Sequence, residues 1–335
     1  MIYEQFILLG GGLALGILLD LVFGDPRNRY HPVSWLGKLI ESITLKLKHS
    51  RNIAVSSISQ DKIEKVKGIM FSCGLISGIA LLTITVASVT ALFMGILITL
   101  ILFAVLLKIS IALKGMEKSA IQIVRSIEAG NLEEARYSLS MIVRRDTSSL
   151  NEEYVQSATI ECISESTVDG IISPLFFYSI LGPVGCIAYR VVNTLDSMLG
   201  YKDPYYKDIG WMSAKLDTIF NFLPARITGL LMVVSAYMVQ ADWKNSLVIL
   251  IRDHHKTTSI NAGYPMSSMA GALRVRLEKM GSYTLGEGTE FLTVDKCMLA
   301  IKIMKITTLL FCLVFSLPLI LLLSHLGWWN LIFGI

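Results

Sequence analysis

Forty consecutive residues, Gly68 to Leu107, carry no charged side chain. A helix needs about 20 apolar residues to cross the hydrocarbon core of a bilayer. The run is therefore long enough for two spans, with a tight turn expected near Ser88 to Thr90. Backbone polar groups have no water to bind inside a bilayer, so helices are the natural solution for such a run. The rest of the chain agrees. Only 17% of its 335 residues are charged and 53% are hydrophobic, whereas a soluble chain carries about 25% charged residues. The expected fold class is all-α: a polytopic integral membrane helical bundle with cytoplasmic helical segments, multi-pass in the cell membrane, residues 1–335 forming one membrane-embedded domain.

The expected spans are 3–23, 68–87, 90–108 and 306–324. Gly10-Gly11-Gly12 and Gly16 in the first would let a second helix approach closely. Glu4 stands where a signal peptide would carry a basic residue, so the first run reads as a retained anchor. Residues 171–189 are apolar but interrupted by Pro174 and Gly182-Pro183-Val184-Gly185, and 227–241 is short. Both are read as broken or re-entrant, because irregular backbone at membrane depth persists only under cover of protein or water. Ser50 to Gln60 reads as a connector. Trp328-Trp329 suit an aromatic interface belt.

Residues 25–67 hold nine Lys/Arg against four Asp/Glu, and 242–305 hold nine against six. The positive-inside rule places both in the cytoplasm. Two spans between 68 and 107 keep 109–170 on the same side, and 190–226 is placed there too. The active site is expected to face the cytoplasm. Net charge is only +4, with no aromatic-rich basic patch, which argues against nucleic acid as a partner. The five cysteines are scattered without a CxxC and read as small apolar residues. The chain has no GxxxxGK[ST] and no GxGxxG, so no standard nucleotide motif is present.

Five groups of residues carry candidate chemistry. Arg144-Arg145 precede a helix whose start is read from Ser149 and Glu152 at capping-box spacing. Along that helix Glu161 and Glu165 share a face, and Asp169 lies within about a quarter turn of it. The stripe is either a solvated face or a site for a divalent metal or an amine. The arginine pair either holds a phosphate through paired hydrogen bonds or touches lipid headgroups and neighbouring carboxylates. Asp25 and His31 across a Pro-rich turn are either catalytic or a helix cap. Asp253-His254-His255, followed by Ser259, Asn261 and Gly263, gathers acid, imidazole, hydroxyl, amide and a permissive backbone position within eleven residues. Pro265 is read as starting a helix that ends near Met280 and carries Arg274 and Arg276. Asp196, Lys215, Asp217 and Arg226 are costly in lipid unless the segment is wet or they pair.

Taken in order, these motifs resemble a known family. Gly24-Asp25-Pro26 with His31-Pro32-Val33 and Gly37 looks like the opening of the membrane-bound adenosylcobinamide-phosphate synthases of cobalamin biosynthesis, the CobD/CbiB family. Further resemblance lies in Arg144-Arg145-Asp146-Thr147 with the Glu161 to Asp169 helix. Tyr189-Arg190-x-x-Asn193-Thr194-Leu195-Asp196 with Pro224-Ala225-Arg226 also matches, as does Ser259-x-Asn261-Ala262-Gly263-Tyr264-Pro265 with Met269-Ala270-Gly271-Ala272-Leu273. One departure is Ser34, where a basic residue is expected after the valine.

The resemblance implies an ATP-dependent amide ligase. It would join aminopropanol or its phosphate to the free propionate carboxylate of a corrinoid, adenosylcobyric acid, with ATP and Mg²⁺. On that reading Glu161, Glu165 and Asp169 suit the metal. Asp253, His255, Asp25 and His31 are the catalytic candidates. Arg144, Arg145, Asp196, Lys215, Arg226, Ser259, Asn261 and Gly263 are the substrate-binding candidates. Tyr205, Tyr206 and Trp211 would suit the macrocycle. The alternative is a corrinoid-binding membrane transporter or a regulatory membrane protein without catalysis.

Overall fold

The computed structural model describes residues 2–26, 28–49, 57–201 and 203–334, without the side chains of residues 2, 28, 49 and 57–60. It is a helical protein, as expected. Four stretches are long and apolar enough to cross a membrane: Tyr3–Phe23, Asp61–Phe93, Gly95–Glu128 and Val294–His325. The helices Trp211–Phe220 and Phe222–Met238 qualify only as a joined pair. Of the connector expected over 50–60, residues 50–56 lie outside the described residues, and helix begins at Ser57. Contacts group the chain into two compact units, where the sequence pattern suggests one domain.

The first unit comprises Met1–Ile111, Pro174–Phe220 and Leu317–Ile335. Its helices are α1 (Ile2–Phe23), α2 (Pro32–His49), α3 (Ser57–Phe93), α4 (Gly95–Lys108), α8 (Ser173–Leu181), α9 (Pro183–Leu199), α10 (Trp211–Phe220), α15 (Leu317–His325) and α16 (Trp328–Phe333). The turn expected near residues 88–90 lies instead at Met94-Gly95, where Gly95 takes φ +78°. Ser88 and Thr90 stay helical because nothing there breaks the ladder, and the Thr90 hydroxyl bonds back to the Val86 carbonyl. Helices α1 and α4 pack tightly because a Cβ on Gly16 would meet Leu107 Cδ2 at 2.9 Å and the Ala104 carbonyl at 3.0 Å. Close backbone approach substitutes for the hydrophobic force that lipid cannot supply. Leu81, Leu82, Leu92 and Phe93 of α3 and Leu97 of α4 remain exposed. In water such a surface is a liability, and in lipid it is the solvated face. A second core joins Ile40 of α2 to Val191, Leu195 and Leu199 of α9, with Phe71 and Leu75 of α3 against it.

The second unit comprises Ala112–Ser173 and Asn221–Ser316. It contains α5 (Leu113–Glu128), α6 (Leu132–Ser140), α7 (Glu152–Ser166) and a π-helical turn, Thr167–Ile172. After these come α11 (Phe222–Met238), α12 (Trp243–Asp253), α13 (Gly263–Leu273) and α14 (Val294–Phe311). Its core joins Ile123, Ile127, Ala135, Leu139, Val155 and Ala158. Helix α13 stops at Leu273 with Arg274 left-handed at φ 59°, not near Met280 as the sequence suggests. A short antiparallel hairpin follows, β1 (Leu277–Lys279) with β2 (Tyr283–Leu285), in the register Leu277↔Leu285 and Lys279↔Tyr283. Arg274 and Arg276 therefore lie off the helix and pair with Asp242 and Glu278 at 3.5 and 2.9 Å.

Candidate functional site: a carboxylate cleft and an aromatic-clamped arginine

Helix α7 begins two residues after the start that the capping-box spacing gives. Asn151 is the N-cap, its side chain accepting the Tyr154 N–H at 2.9 Å. Glu152 instead accepts from the Gln156 amide at 3.1 Å. The helix buries most of its residues, Glu161 among them at 5% exposure. A buried carboxylate needs partners, and Glu161 has three. Arg145 Nη2 lies 3.2 Å from Oε2, Tyr283 Oη donates to Oε2 at 2.8 Å, and Ser157 Oγ donates to Oε1 at 2.8 Å. The hairpin is docked onto this network, since the Glu278 N–H donates to Ser157 Oγ at 3.0 Å. Burial, then the charges of Glu161 and Glu165, raises the Tyr283 hydroxyl above its ordinary pKa. Tyr283 is the residue that the sequence pattern does not reveal. It is more than a hundred positions from Glu161, with no motif linking them.

Glu165 stands one turn further on. By surface area it is exposed, yet burial is the leading cause of a pKa raised to about 7, followed by the charge of Glu161. Both hold in a cleft, where protein surrounds the carboxyl without sealing it from water. Lys279 of the hairpin, Arg145 and Arg144 act in the opposite sense. Burial and Glu165 push the neighbouring Cys162 thiol up to about 12, which makes it inert.

Asp169 lies in the π-helical turn. Pro174 has no N–H to offer the Gly170 carbonyl, and that carbonyl accepts the Ala112 N–H at 3.0 Å instead. The turn thus accommodates a proline within a continuous helical run. Among the described residues no three His, Cys, Asp or Glu side chains are arranged to hold a metal ion. Both carboxylate oxygens of Glu161 are already engaged by donors of the chain. The Glu161, Glu165 and Asp169 stripe thus does not fit a resident Mg²⁺ site made from protein ligands alone.

Asp253 ends α12 fully buried. Arg252 grips it with Nε to Oδ1 at 2.7 Å and Nη2 to Oδ2 at 2.9 Å. Lys256 adds a contact at 2.6 Å and the Gly286 N–H donates at 2.9 Å. Burial alone would raise its pKa, but these donors outweigh burial and hold the carboxyl well below the usual range. A carboxylate so held is a hub that ties α12 to the segment after the hairpin. Asp253 is one of the catalytic candidates, and a carboxylate held in this way does not suit a general base. His255 is exposed, in edge contact with His254 at 5.5 Å. His254 is the better held of the two, for its Nδ1 sits 3.0 and 3.1 Å from the carbonyls of Leu250 and Ile251.

Gly263 starts α13 beside this turn. A Cβ there would lie 1.8 Å from the His254 carbonyl, so the close approach demands glycine. Ser259 Oγ receives the N–H groups of Asn261 and Ala262 at 3.4 Å each, which closes the turn ahead of α13. Asn261 Oδ1 accepts from Arg226 Nη1 at 3.4 Å. The Arg226 guanidinium carbon stands 3.4 Å from the Phe222 ring centroid and 4.4 Å from that of Tyr264.

In the first unit, Asp25 lies 3.6 Å from His31 Nε2 and 3.9 Å from Lys108. His31 Nδ1 accepts the Val33 N–H at 3.2 Å, which caps α2 and leaves the ring proton on Nε2, facing Asp25. The pair has a structural role there. Asp217 accepts from the Asn193 amide at 3.4 Å. Asp196 Oδ1 lies over the Cα of Gly200, 1.9 Å from where a Cβ would stand. Lys215 is exposed. The Tyr205 and Trp211 rings are covered by Lys48 at 3.6 Å and Lys65 at 3.9 Å.

The comparisons with known proteins bear on what this geometry serves. The family model described as "CobD/Cbib protein" matches residues 13–312. The "Probable cobalamin biosynthesis protein CobD" of Methanothermobacter thermautotrophicus is 39% identical over 307 residues, covering 90% of this chain and 95% of its own. The "Cobalamin biosynthesis protein CobD" of Dehalococcoides mccartyi is 37% identical, covering 82% and 85%. That of Clostridium perfringens is 35% identical, covering 87% and 89%. No solved structure matches. A match of this extent, over a helical chain with membrane-length spans, decides the family. The chain belongs to the CobD/CbiB family of cobalamin biosynthesis proteins, whose role implies a corrinoid substrate.

Proposed function

We propose that this protein is an adenosylcobinamide-phosphate synthase, an ATP-dependent amide ligase. It joins aminopropanol or its phosphate to the free propionate carboxylate of adenosylcobyric acid. The observation that carries the reading is that the family match runs through residues 13–312 and includes every motif that brings polar groups together in the structure. A carboxylate is a poor acyl donor, so ATP must activate it before an amine can attack. The protein must hold two anionic substrates and take a proton from the amine. For holding the anions the chain offers the cations Arg144, Arg145 and Arg226. Lys114, Lys118 and Arg125 also line a groove of about 540 Å³ along α5. Mg²⁺ would enter with the nucleotide's phosphates, because the carboxylate stripe does not form a site by itself. The active site is assigned to the cytoplasmic face of the cell membrane, where the Lys/Arg excess lies.

The test uses full-length protein in nanodiscs with adenosylcobyric acid, aminopropanol phosphate, ATP and Mg²⁺. ADP release that requires both substrates, with an amide product of matching mass, is the expected result. Corrinoid binding without ADP release would refute the ligase and favour a corrinoid-binding transporter.

A further inference from the structure

An arginine pressed between two aromatic rings is oriented before any ligand arrives. Phe222 and Tyr264 hold the Arg226 plane, and only one of its nitrogens is spent. Nη1 donates to the Phe222 carbonyl and to Asn261 Oδ1. Among the described residues nothing accepts from the Nε and Nη2 edge. That edge carries two parallel N–H groups, the geometry that matches a phosphate or carboxylate. Arg145 contrasts with it, because one of its nitrogens already serves Glu161.

Tyr264 also meets His254, ring to ring at 4.6 Å. A carbonyl oxygen only accepts, so the two carbonyls at His254 Nδ1 place the proton there. Nε2 is left with a lone pair. Gly263 locks the arrangement, because its missing Cβ lets α13 sit against the His254 carbonyl. Arg226, Tyr264 and His254 are all half-buried and therefore reachable.

We propose that Arg226 and His254 are the two poles of a receptor for a small molecule that carries a phosphate at one end and an amine at the other. The inference rests on the ligase reading above. The Nε and Nη2 edge of Arg226 holds the phosphate, and Nε2 of His254 accepts a proton from the ammonium group. The free amine then attacks the activated corrinoid carboxyl, a mixed anhydride with phosphate made at the expense of ATP. A C–N bond forms and the C–O bond to phosphate breaks. Phosphate leaves with that electron pair and takes the second amine proton. Tyr264 is a positioning residue that sets the spacing of the poles.

The experiment compares aminopropanol phosphate, unphosphorylated aminopropanol and an alkoxyamine analogue that is unprotonated at neutral pH. Wild type, Arg226→Gln, Arg226→Lys and His254→Asn are assayed in nanodiscs, with thermal midpoints measured alongside. Arg226→Gln and Arg226→Lys should lower kcat/KM for the phosphorylated amine by about tenfold to a hundredfold. Both should leave the unphosphorylated amine within about twofold, on the same principle that only the lost contact is missed. His254→Asn should slow both alkylamines at least about tenfold and spare the alkoxyamine, which has no proton to give up. Equal losses for all three amines would overturn the proposal. Direct binding of aminopropanol phosphate, measured calorimetrically, separates the two readings. Binding weakened by Arg226→Gln with no amide formed by wild type would refute the ligase and uphold the phosphate pole.

Discussion

Glu161 is the residue on which the polar interior of the second unit turns, and its removal is a quantitative test. Glu161→Gln keeps the shape of the side chain. The amide oxygen can serve Arg145 and Tyr283, and the amide NH₂ can donate to Ser157 Oγ. Ser157 Oγ already accepts the Glu278 N–H at 3.0 Å and has a second lone pair. The bonds from Arg145 and Tyr283 lose their charge, and the Ser157 hydroxyl, which donates to Oε1 in the wild type, meets an NH₂ that cannot accept. A charged hydrogen bond contributes about 1.5–3 kcal/mol and a neutral one about 0.5–1.5 kcal/mol. Two such reductions amount to roughly 2–3 kcal/mol. Glu161→Ala should cost more, about 3–5 kcal/mol, because Arg145 loses the carboxylate it is paired with in a mostly buried site. Tyr283→Phe removes one bond and should cost about 1.5–3 kcal/mol.

The two sites share that bond, so the double variant Glu161→Gln with Tyr283→Phe should cost less than the two single variants together. Coupling on the order of 0.5–3 kcal/mol is expected for residues in contact. The assay is equilibrium unfolding in detergent, followed by tryptophan fluorescence. Additivity to within about 0.5 kcal/mol would show that the hairpin does not lean on Glu161, and the account of the network would fail.

Two further outcomes follow from the same region. Folded Glu165 holds its proton up to a pKa of about 7, against a reference value of 4.5. Between those values the folded state binds more protons than the unfolded one, so the contribution is full below 4.5 and lost as pH rises through about 7. Glu165→Gln, which cannot ionise, should flatten the thermal midpoint between about pH 5 and 8 and melt above wild type at the upper end. An unchanged slope would assign the titration to another group. Gly263→Ala should cost about 1–3 kcal/mol by overpacking, because its Cβ would lie 1.8 Å from the His254 carbonyl. Gly74→Ala, with nothing within 4 Å, is the control, and equal midpoints for the two variants would refute the steric argument.

The uncharged run from 68 to 107 by itself determined the class of this protein, because a continuous apolar run of that length satisfies its backbone polar groups in lipid as helix. The glycines of α1 likewise announced close packing, since the small-residue rule acts within one helix face. The ends of elements were less legible. The turn lies at Met94-Gly95 and the cap at Asn151, because the competing signals differ by less than tertiary packing contributes. The site was legible as a set of residue types and illegible as an arrangement. Arg145 and Glu161 stand sixteen positions apart, but Tyr283 reaches Glu161 from a hairpin whose first strand lies where the pattern suggested continued helix. Asp253 stood as a catalytic candidate because an acid beside two imidazoles is a common catalytic grouping. Arg252 and Lys256 lie close in sequence, as the histidines do, but only the fold turns them onto the carboxylate and adds the Gly286 N–H from a distant segment, which removes its basicity. Proton affinity depends on what surrounds a group in space, and spatial neighbours from distant segments leave no local trace in the chain.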